Sequence, residues 1–275
     1  MRISLIISVY KKIRELELLL TALKQQTEKN FDVIIADDGS GDEMKNFVSG
    51  FSNECGYGIS YITQEDKGFR KNKILNEAVV YSKNDYLVFL DGDCIPHRNF
   101  IKAHYANAEE NTVLTGRRVH LSKKISESLN KDFIISGSFN RLSRKAFIDS
   151  FGFRDITTTA EEGFIIRSGL IRKLTSARNS HIVGCNFSVW KPMLLKINGF
   201  DENYNGAGIG EDTDIEHRLG LTGAKFKSVR NLAVVYHMHH SKTKESDANY
   251  DYFHNNVKLK NEFFCANGIT KKSAD

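Results

Sequence analysis

The chain opens on an apolar run, Ile3 to Val9, with Lys11 and Lys12 close behind. No small-residue cleavage site follows, so the run reads as a buried strand rather than a signal peptide. Between Ile13 and Gln26, Leu16, Leu19, Leu20 and Leu23 recur at three- and four-residue spacing, which predicts a helix. Phe31 to Ala36 predicts a second strand, closed by the turn Asp37-Asp38-Gly39-Ser40-Gly41, and Ile59 to Thr63 a third. Ile74, Leu75, Ala78 and Val79 line one side of a helix predicted over Phe69 to Tyr81. The segment Asp85 to Leu90 is apolar at five successive positions, the pattern of a strand covered on both faces.

This alternation predicts an α/β fold with a doubly wound, mostly parallel sheet. In such sheets ligands bind outside the carboxyl ends of the strands. The rhythm is lost from about Arg117 to Ser180, a polar, basic and mostly helical stretch. It returns with a strand over His181 to Trp190, a short helix after Pro192, and a helix over Glu211 to Leu219. Ala233 to Tyr236 then reads as the strand that closes the sheet, and the tail keeps one amphipathic stretch around Tyr250 to Phe264. Three segments result: 1–116, a ligand-binding half; 117–180, a basic connector; and 181–275, a second half with the tail. Neither internal repeats nor a Pro/Gly linker interrupt them, so the halves are expected to share one body.

Composition changes this picture little. With 40% hydrophobic and 27% charged residues, the chain has the make-up of a soluble globular protein. No apolar run approaches the roughly 20 residues that span a bilayer. Cys55, Cys94, Cys185 and Cys265 are scattered without a C-x-x-C pair, which excludes a zinc knuckle and a disulfide framework and suits a reducing, cytoplasmic setting. The net charge of +5 is unevenly spread: between Asn111 and Ile182 there are 13 Lys/Arg against 6 Asp/Glu. This segment suits an anionic membrane surface at the inner face or an acidic glycan, and equally an ordinary solvated helical face. No nucleic-acid partner is expected.

Three motifs carry candidate chemistry. Asp91-Gly92-Asp93 directly follows the buried strand. A lone Asp-x-Asp is common, but at the carboxyl edge of a central strand two carboxylates can hold one divalent cation and a diphosphate together. Like charges about 4 Å apart otherwise repel by roughly 4 kcal/mol at an effective dielectric of 20. Tyr236-His237-Met238-His239-His240 sets three histidines in four positions after a strand. In an extended chain His237 and His239 share a face, whereas a turn joins His237 to His240. An imidazole completing the site favours Mn2+ over Mg2+. Glu211-Asp212 opens a helix after Gly206-Ala207-Gly208-Ile209-Gly210. The helix dipole alone would account for carboxylates there, but one could also act as a general base. The glycine loop follows no clear strand, which excludes a dinucleotide fingerprint.

Taken together these strings resemble a family-2 glycosyltransferase of the GT-A fold. The second half is similar to the galactosyltransferase-type domain of bacterial chondroitin polymerase-like transferases. The resemblance covers 1 to about 120 and 181 to about 240. It rests on Ile7-Ser8-Val9-Tyr10, Ala36-Asp37-Asp38-Gly39-Ser40, Gly68-Phe69-Arg70-Lys71-Asn72 with Asn76, and Asp91-Gly92-Asp93. Gly184-Cys185-Asn186-Phe187-Ser188, Gly199-Phe200-Asp201-Glu202, Gly210-Glu211-Asp212 and Tyr236-His237 extend it.

The resemblance implies an inverting enzyme that moves a sugar from a UDP-sugar to a hydroxyl of a glycan or glycolipid acceptor in surface polysaccharide synthesis. It implies Val9 and Tyr10 at the base, one acid of the Asp37–Asp38 pair on the uracil, and Arg70 near the diphosphate. Arg14, Asn76, Asp91, Gly92, Asn186 and Glu211 complete the donor site. Asp93 and His237 would hold Mn2+ or Mg2+, with Asp91 and His240 as further candidate ligands, and Asp212 would be the catalytic base. Ser8-Val9 stands where the family usually has Pro-Thr, and the acceptor loop lacks its usual tryptophan. The alternatives are a non-catalytic glycan-binding scaffold and a sugar nucleotidyltransferase; the latter needs a glycine-rich N-terminal phosphate loop, which Ser8-Val9-Tyr10-Lys11-Lys12 does not provide.

Overall fold

A computed structural model describes residues 1–171, 180–241 and 246–271. The first half winds as the pattern predicts: β1 (Ile3–Val9), α1 (Ile13–Lys24), β2 (Phe31–Asp37), α2 (Asp42–Ser52), β3 (Ile59–Thr63), α3 (Lys71–Tyr81) and β4 (Tyr86–Asp91). The chain continues through β5 (Cys94–Pro96), α4 (Phe100–Asn107), β6 (Thr112–Thr115) and β7 (Val119–His120). Three short helices follow, α5 (Lys123–Ser128), α6 (Lys131–Ile135) and α7 (Phe139–Asp149), and then β8 (Phe187–Trp190), β9 (Lys225–Ser228) and β10 (Val235–His237).

Seven strands form the main sheet in the order β3-β2-β1-β4-β8-β6-β9. β1 to β4 are mutually parallel, and β8 alone runs against its neighbours β4 and β6. The sheet is therefore mixed but mostly parallel, the GT-A arrangement the sequence implied. Alternation along β1 and β4 feeds two cores. Ile3, Leu5, Ile7, Tyr86, Val88 and Leu90 pack with α1, α2 and α4. Ile6, Leu87 and Phe89 pack with α3 and the helix Glu211–Leu221. The Phe89 ring stacks on Phe187 of β8 with centroids 4.5 Å apart.

The expected closing strand does not join this sheet. Val235–His237 lies instead at the centre of a second, three-stranded sheet, β5-β10-β7. The apolar pattern marked a strand correctly but carries no information about which edge it pairs with. The strand expected over His181 to Trp190 is likewise shorter, starting only at Phe187. Helix α1 serves both sheets, because Leu18 and Ala22 on its other side pack with Ile95, Val119 and α5–α7. Of the basic connector, Arg172, Lys173 and Arg178 lie outside the described residues. Among the described residues no helix is long and apolar enough to cross a membrane.

One buried ion pair fixes the helix that carries Asp212. Arg218 donates through Nε to Asp214 Oδ2 at 2.8 Å and through Nη1 to Ile197 O at 2.7 Å, and both charged side chains are almost fully buried. Arg218→Ala leaves the Asp214 carboxylate uncompensated, so stability should fall by about 3–5 kcal/mol. Equilibrium urea unfolding measures this.

Candidate active site

The carboxyl ends of β1, β2 and β4 enclose a 370 Å³ cavity lined by Val9, Tyr10, Asp38, Phe69, Lys71 and Asp91, among others. It adjoins a 1220 Å³ cleft, and Lys12, Phe69, Lys71, Asp91 and Asp93 line both. Gly92, which lines the smaller cavity, lets the chain after β4 pass close to β1. Its N–H donates to Ser8 O at 2.8 Å, and a Cβ there would lie 2.9 Å from Val9 Cγ2 and 3.1 Å from Ser8 O. Only glycine fits that approach.

The Asp37–Asp38 pair divides as strand neighbours must. Asp37 points away from the cavity and is fully buried. It accepts from Ser40 N and Ser40 Oγ, from Tyr61 OH at 2.7 Å and from Thr63 Oγ1 at 2.9 Å. Asp38 lines the cavity, accepts from Arg70 N at 2.9 Å and from Gln64 Nε2, and burial pushes its carboxyl up despite those bonds. Tyr10 stands at the rim, its hydroxyl donating to Asp66 Oδ2 at 3.0 Å.

The two acids at the end of β4 and just beyond it are each met by a lysine that the sequence did not single out. Asp91 Oδ1 accepts from Ser8 Oγ at 2.8 Å and from Lys71 Nζ at 2.8 Å. Burial would push this carboxyl up, but the charge of Lys71 and these hydrogen bonds outweigh it and hold it well below the usual range. Asp93 Oδ2 is 2.6 Å from Lys12 Nζ. From β10 and the residues just after it, His237 Nε2 lies 3.5 Å from Asp93 Oδ1, and His240 Nε2 lies 3.3 Å from Asp93 Oδ2.

Among the described residues, Asp93, Cys94 and His237 form a cluster whose ligand atoms lie within 4.8 Å of one another. Two ligands each about 2.1 Å from one ion stand no more than about 4.2 Å apart, so the Asp93–His237 spacing fits a shared divalent cation. Burial lowers His237 to about 4, only partly offset by Asp93, leaving its lone pair available at neutral pH. Burial pushes the Cys94 thiol well up; the Asp93 carboxylate and the His237 imidazole make a donor pair that suits Mn2+.

Asp212 lines the large cleft from the opposite half, near Gly184, Cys185 and Gly208. Its Oδ1 accepts from Thr213 N at 2.7 Å and its Oδ2 from Gly184 N at 3.3 Å. The glycine loop before it is tied to the tail: Asn249 Nδ2 donates to Gly206 O at 2.9 Å and Ser246 N to Ala207 O at 2.9 Å. The Glu211 side chain lies outside the described set.

Four expected donor-site residues do other work. The Arg14 guanidinium donates to Ser126 O and Leu129 O at 3.0 Å each, near the end of α5, outside both cavities. Asn76 is buried and exchanges hydrogen bonds of 2.8 Å with the Phe200 backbone in both directions, so it fixes the turn after residue 198. Asn186 is fully buried and donates to Arg117 O and Ala233 O at 2.7 and 2.8 Å. Arg70 turns its guanidinium to Glu65 O, and the next residue, Lys71, faces the cavity instead. Arg118 and His120 also line the cleft. Their signal was present as charge in the basic connector, but only the pairing of β7 with β10 brings them there.

Comparison with known proteins gives this arrangement a family. Residues 4–175 match the family described as Glycosyl transferase family 2, and residues 173–241 match that described as N-terminal domain of galactosyltransferase. The chain belongs to glycosyl transferase family 2. It is 24% identical over 256 residues to the hyaluronan synthase of Pasteurella multocida, covering 89% of this chain and 25% of the relative. It is 26% identical over 250 residues to the chondroitin synthase of Escherichia coli, covering 86% and 34%. The chain thus spans about a quarter to a third of the length of these two synthases.

Among solved structures, it resembles a mannosyltransferase from Pyrobaculum calidifontis in complex with GDP-Man and Mn2+. The TM-score is 0.56 at 13% identity, over 94% of this chain and 62% of that one. It also resembles S. aureus TarS 1-349 in complex with UDP-GlcNAc, with a TM-score of 0.56 at 17% identity over 88% and 60%. These two likenesses establish a shared fold.

The two neighbouring acids should separate cleanly on mutation. Asp37→Ala removes the acceptor of Tyr61 and Thr63 and should cost about 1.5–3 kcal/mol, the scale of a hydrogen bond to a charged group. Asp38→Ala should cost less stability and weaken UDP binding instead. Urea unfolding and UDP calorimetry on both variants check this.

Proposed function

We propose that the chain transfers a sugar from a UDP-sugar to a hydroxyl of a glycan or glycolipid acceptor, with inversion at the anomeric carbon. The observation that carries this reading is the continuity of the Asp38 cavity with the cleft that holds Asp93, His237 and Asp212. A nucleotide in the first puts its diphosphate at the Asp91–Asp93 edge, and the wider cleft leaves room for an acceptor. The UDP-GlcNAc complex of TarS and the synthases among the relatives support the donor and the polymer class.

Val9 and Tyr10 bound the base, Asp38 accepts the uracil N–H, and Asp91 reaches the ribose. Asp93 and His237 would hold Mn2+, with His240 and Asp91 as further candidate ligands; the manganese in the mannosyltransferase complex supports this. When bound, the ion neutralises charge on the leaving diphosphate. Lys12 and Lys71, already beside the acids, add positive charge along the same wall. Asp212 takes the proton of the acceptor hydroxyl as its oxygen attacks the anomeric carbon. The new C–O bond forms as the bond to UDP breaks on the opposite face, so an α-linked donor gives a β-glycoside. No step makes the carboxylate a nucleophile.

Release of UDP from a panel of UDP-sugars tests the reading. Mn2+ should support the most activity and EDTA should abolish it; full turnover in chelator contradicts the metal assignment. Asp212→Asn keeps the shape and removes the base, so turnover should fall by about 10²–10⁴-fold with UDP affinity almost unchanged. Retention of more than about a third of wild-type turnover would transfer the role of base to another group.

A further inference from the structure

We propose that the outer face of α7, with the loop that follows it, is a docking surface for anionic lipid bilayers. Helix α7 has two distinct sides. Phe139, Leu142 and Ala146 are buried in the third core with Tyr236, and Ser143 Oγ bonds Tyr236 OH at 2.7 Å. The opposite side carries Arg141, Arg144, Lys145 and Ile148, spaced three and four apart and all exposed. Such spacing gathers them on one stripe.

The charge on this stripe is left over. Among the described residues neither Arg141 nor Arg144 has a carboxylate within ion-pair distance. Together with Lys124 and Lys145 they flank a 410 Å³ groove between α5 and α7. Its one acid, Asp149, is already engaged, its Oδ2 accepting from Thr157 N and Thr157 Oγ1 at 2.8 Å each. The groove thus presents four cations at one opening, suited to phosphate headgroups.

Directly beyond the cations the surface turns apolar. Ile148 is 73% exposed, Phe151 72% and Phe153 wholly so. Phe147 braces Phe151 edge-on, with ring centroids 5.1 Å apart. Large side chains held in water next to a basic stripe match the make-up of an interfacial helix, whose apolar residues enter the acyl boundary while Lys and Arg meet the headgroups. A soluble acidic glycan would use the cations and leave Ile148, Phe151 and Phe153 without a partner. The bilayer accounts for both.

Sedimentation with vesicles of equal phosphatidylglycerol and phosphatidylcholine tests the surface. The chain should bind them at about 0.05 M salt and at least about tenfold less at 0.5 M, or on phosphatidylcholine alone. Phe151→Ser with Phe153→Ser, which leaves the charge unchanged, should lower partitioning about tenfold, as should Arg141→Gln with Arg144→Gln. Thermal unfolding of both pairs should match wild type, because all four side chains are exposed. Failure of the wild type to sediment at low salt overturns the proposal. So does an aromatic pair that binds vesicles as wild type does while both bind soluble dextran sulfate equally, which would make this a polyanion site.

Discussion

The site depends on the hydrogen-bonded register between β5 and β10. Residues 94–96 and 235–237 are about 140 positions apart in sequence, yet His237 pairs with Cys94 and Met238 N donates to Asp93 O at 3.0 Å. This pairing sets the imidazole over the carboxylate. Strand neighbours face opposite ways, so a slip of one residue would bring Tyr236 to the cleft and bury His237. Tyr236 opposes such a slip: its hydroxyl is bonded to Ser143 inside the third core. The same strand pairs with β7, which brings His120 to the cleft.

Charge at the site is held in balance by its surroundings. Asp91 and Asp93 would repel each other at the end of β4, but Lys71 and Lys12 stand within 2.8 Å of them. Burial keeps His237 neutral, so it adds no third positive charge beside Lys12 and Lys71. On the far side, the Asp214–Arg218 pair anchors the helix that carries Asp212, and Asn249 ties down the loop that leads into it. Rigid elements therefore carry both walls of the cleft.

Features fixed by local pattern were legible in the sequence. The run before Asp91 is buried on both faces, so its end had to lie at the sheet's carboxyl edge, and the Asp-Gly-Asp triplet is where the lysines and His237 converge. The alternation rule also foretold that only one of Asp37 and Asp38 would face the cavity, although choosing between them needed Tyr61 and Thr63 from the neighbouring strand. Asn76 and Asn186 were illegible for the same reason: a polar residue beside a motif looks like a ligand contact until the backbone atoms that satisfy it are known. Arg70 and Lys71 differ only in which one the start of α3 turns inward. Arg14 lies outside both cavities because its partners, the carbonyls near the end of α5, come from more than a hundred residues away.

The claim that a divalent ion and the nucleotide share the Asp93–His237 site is tested most directly by Mn2+ electron paramagnetic resonance with UDP present. The account predicts that UDP tightens Mn2+ binding in the wild type and that His237→Ala weakens it by about tenfold or more, the scale of losing a supporting or direct ligand. Equal Mn2+ affinity in wild type and variant, or an affinity indifferent to UDP, would contradict it.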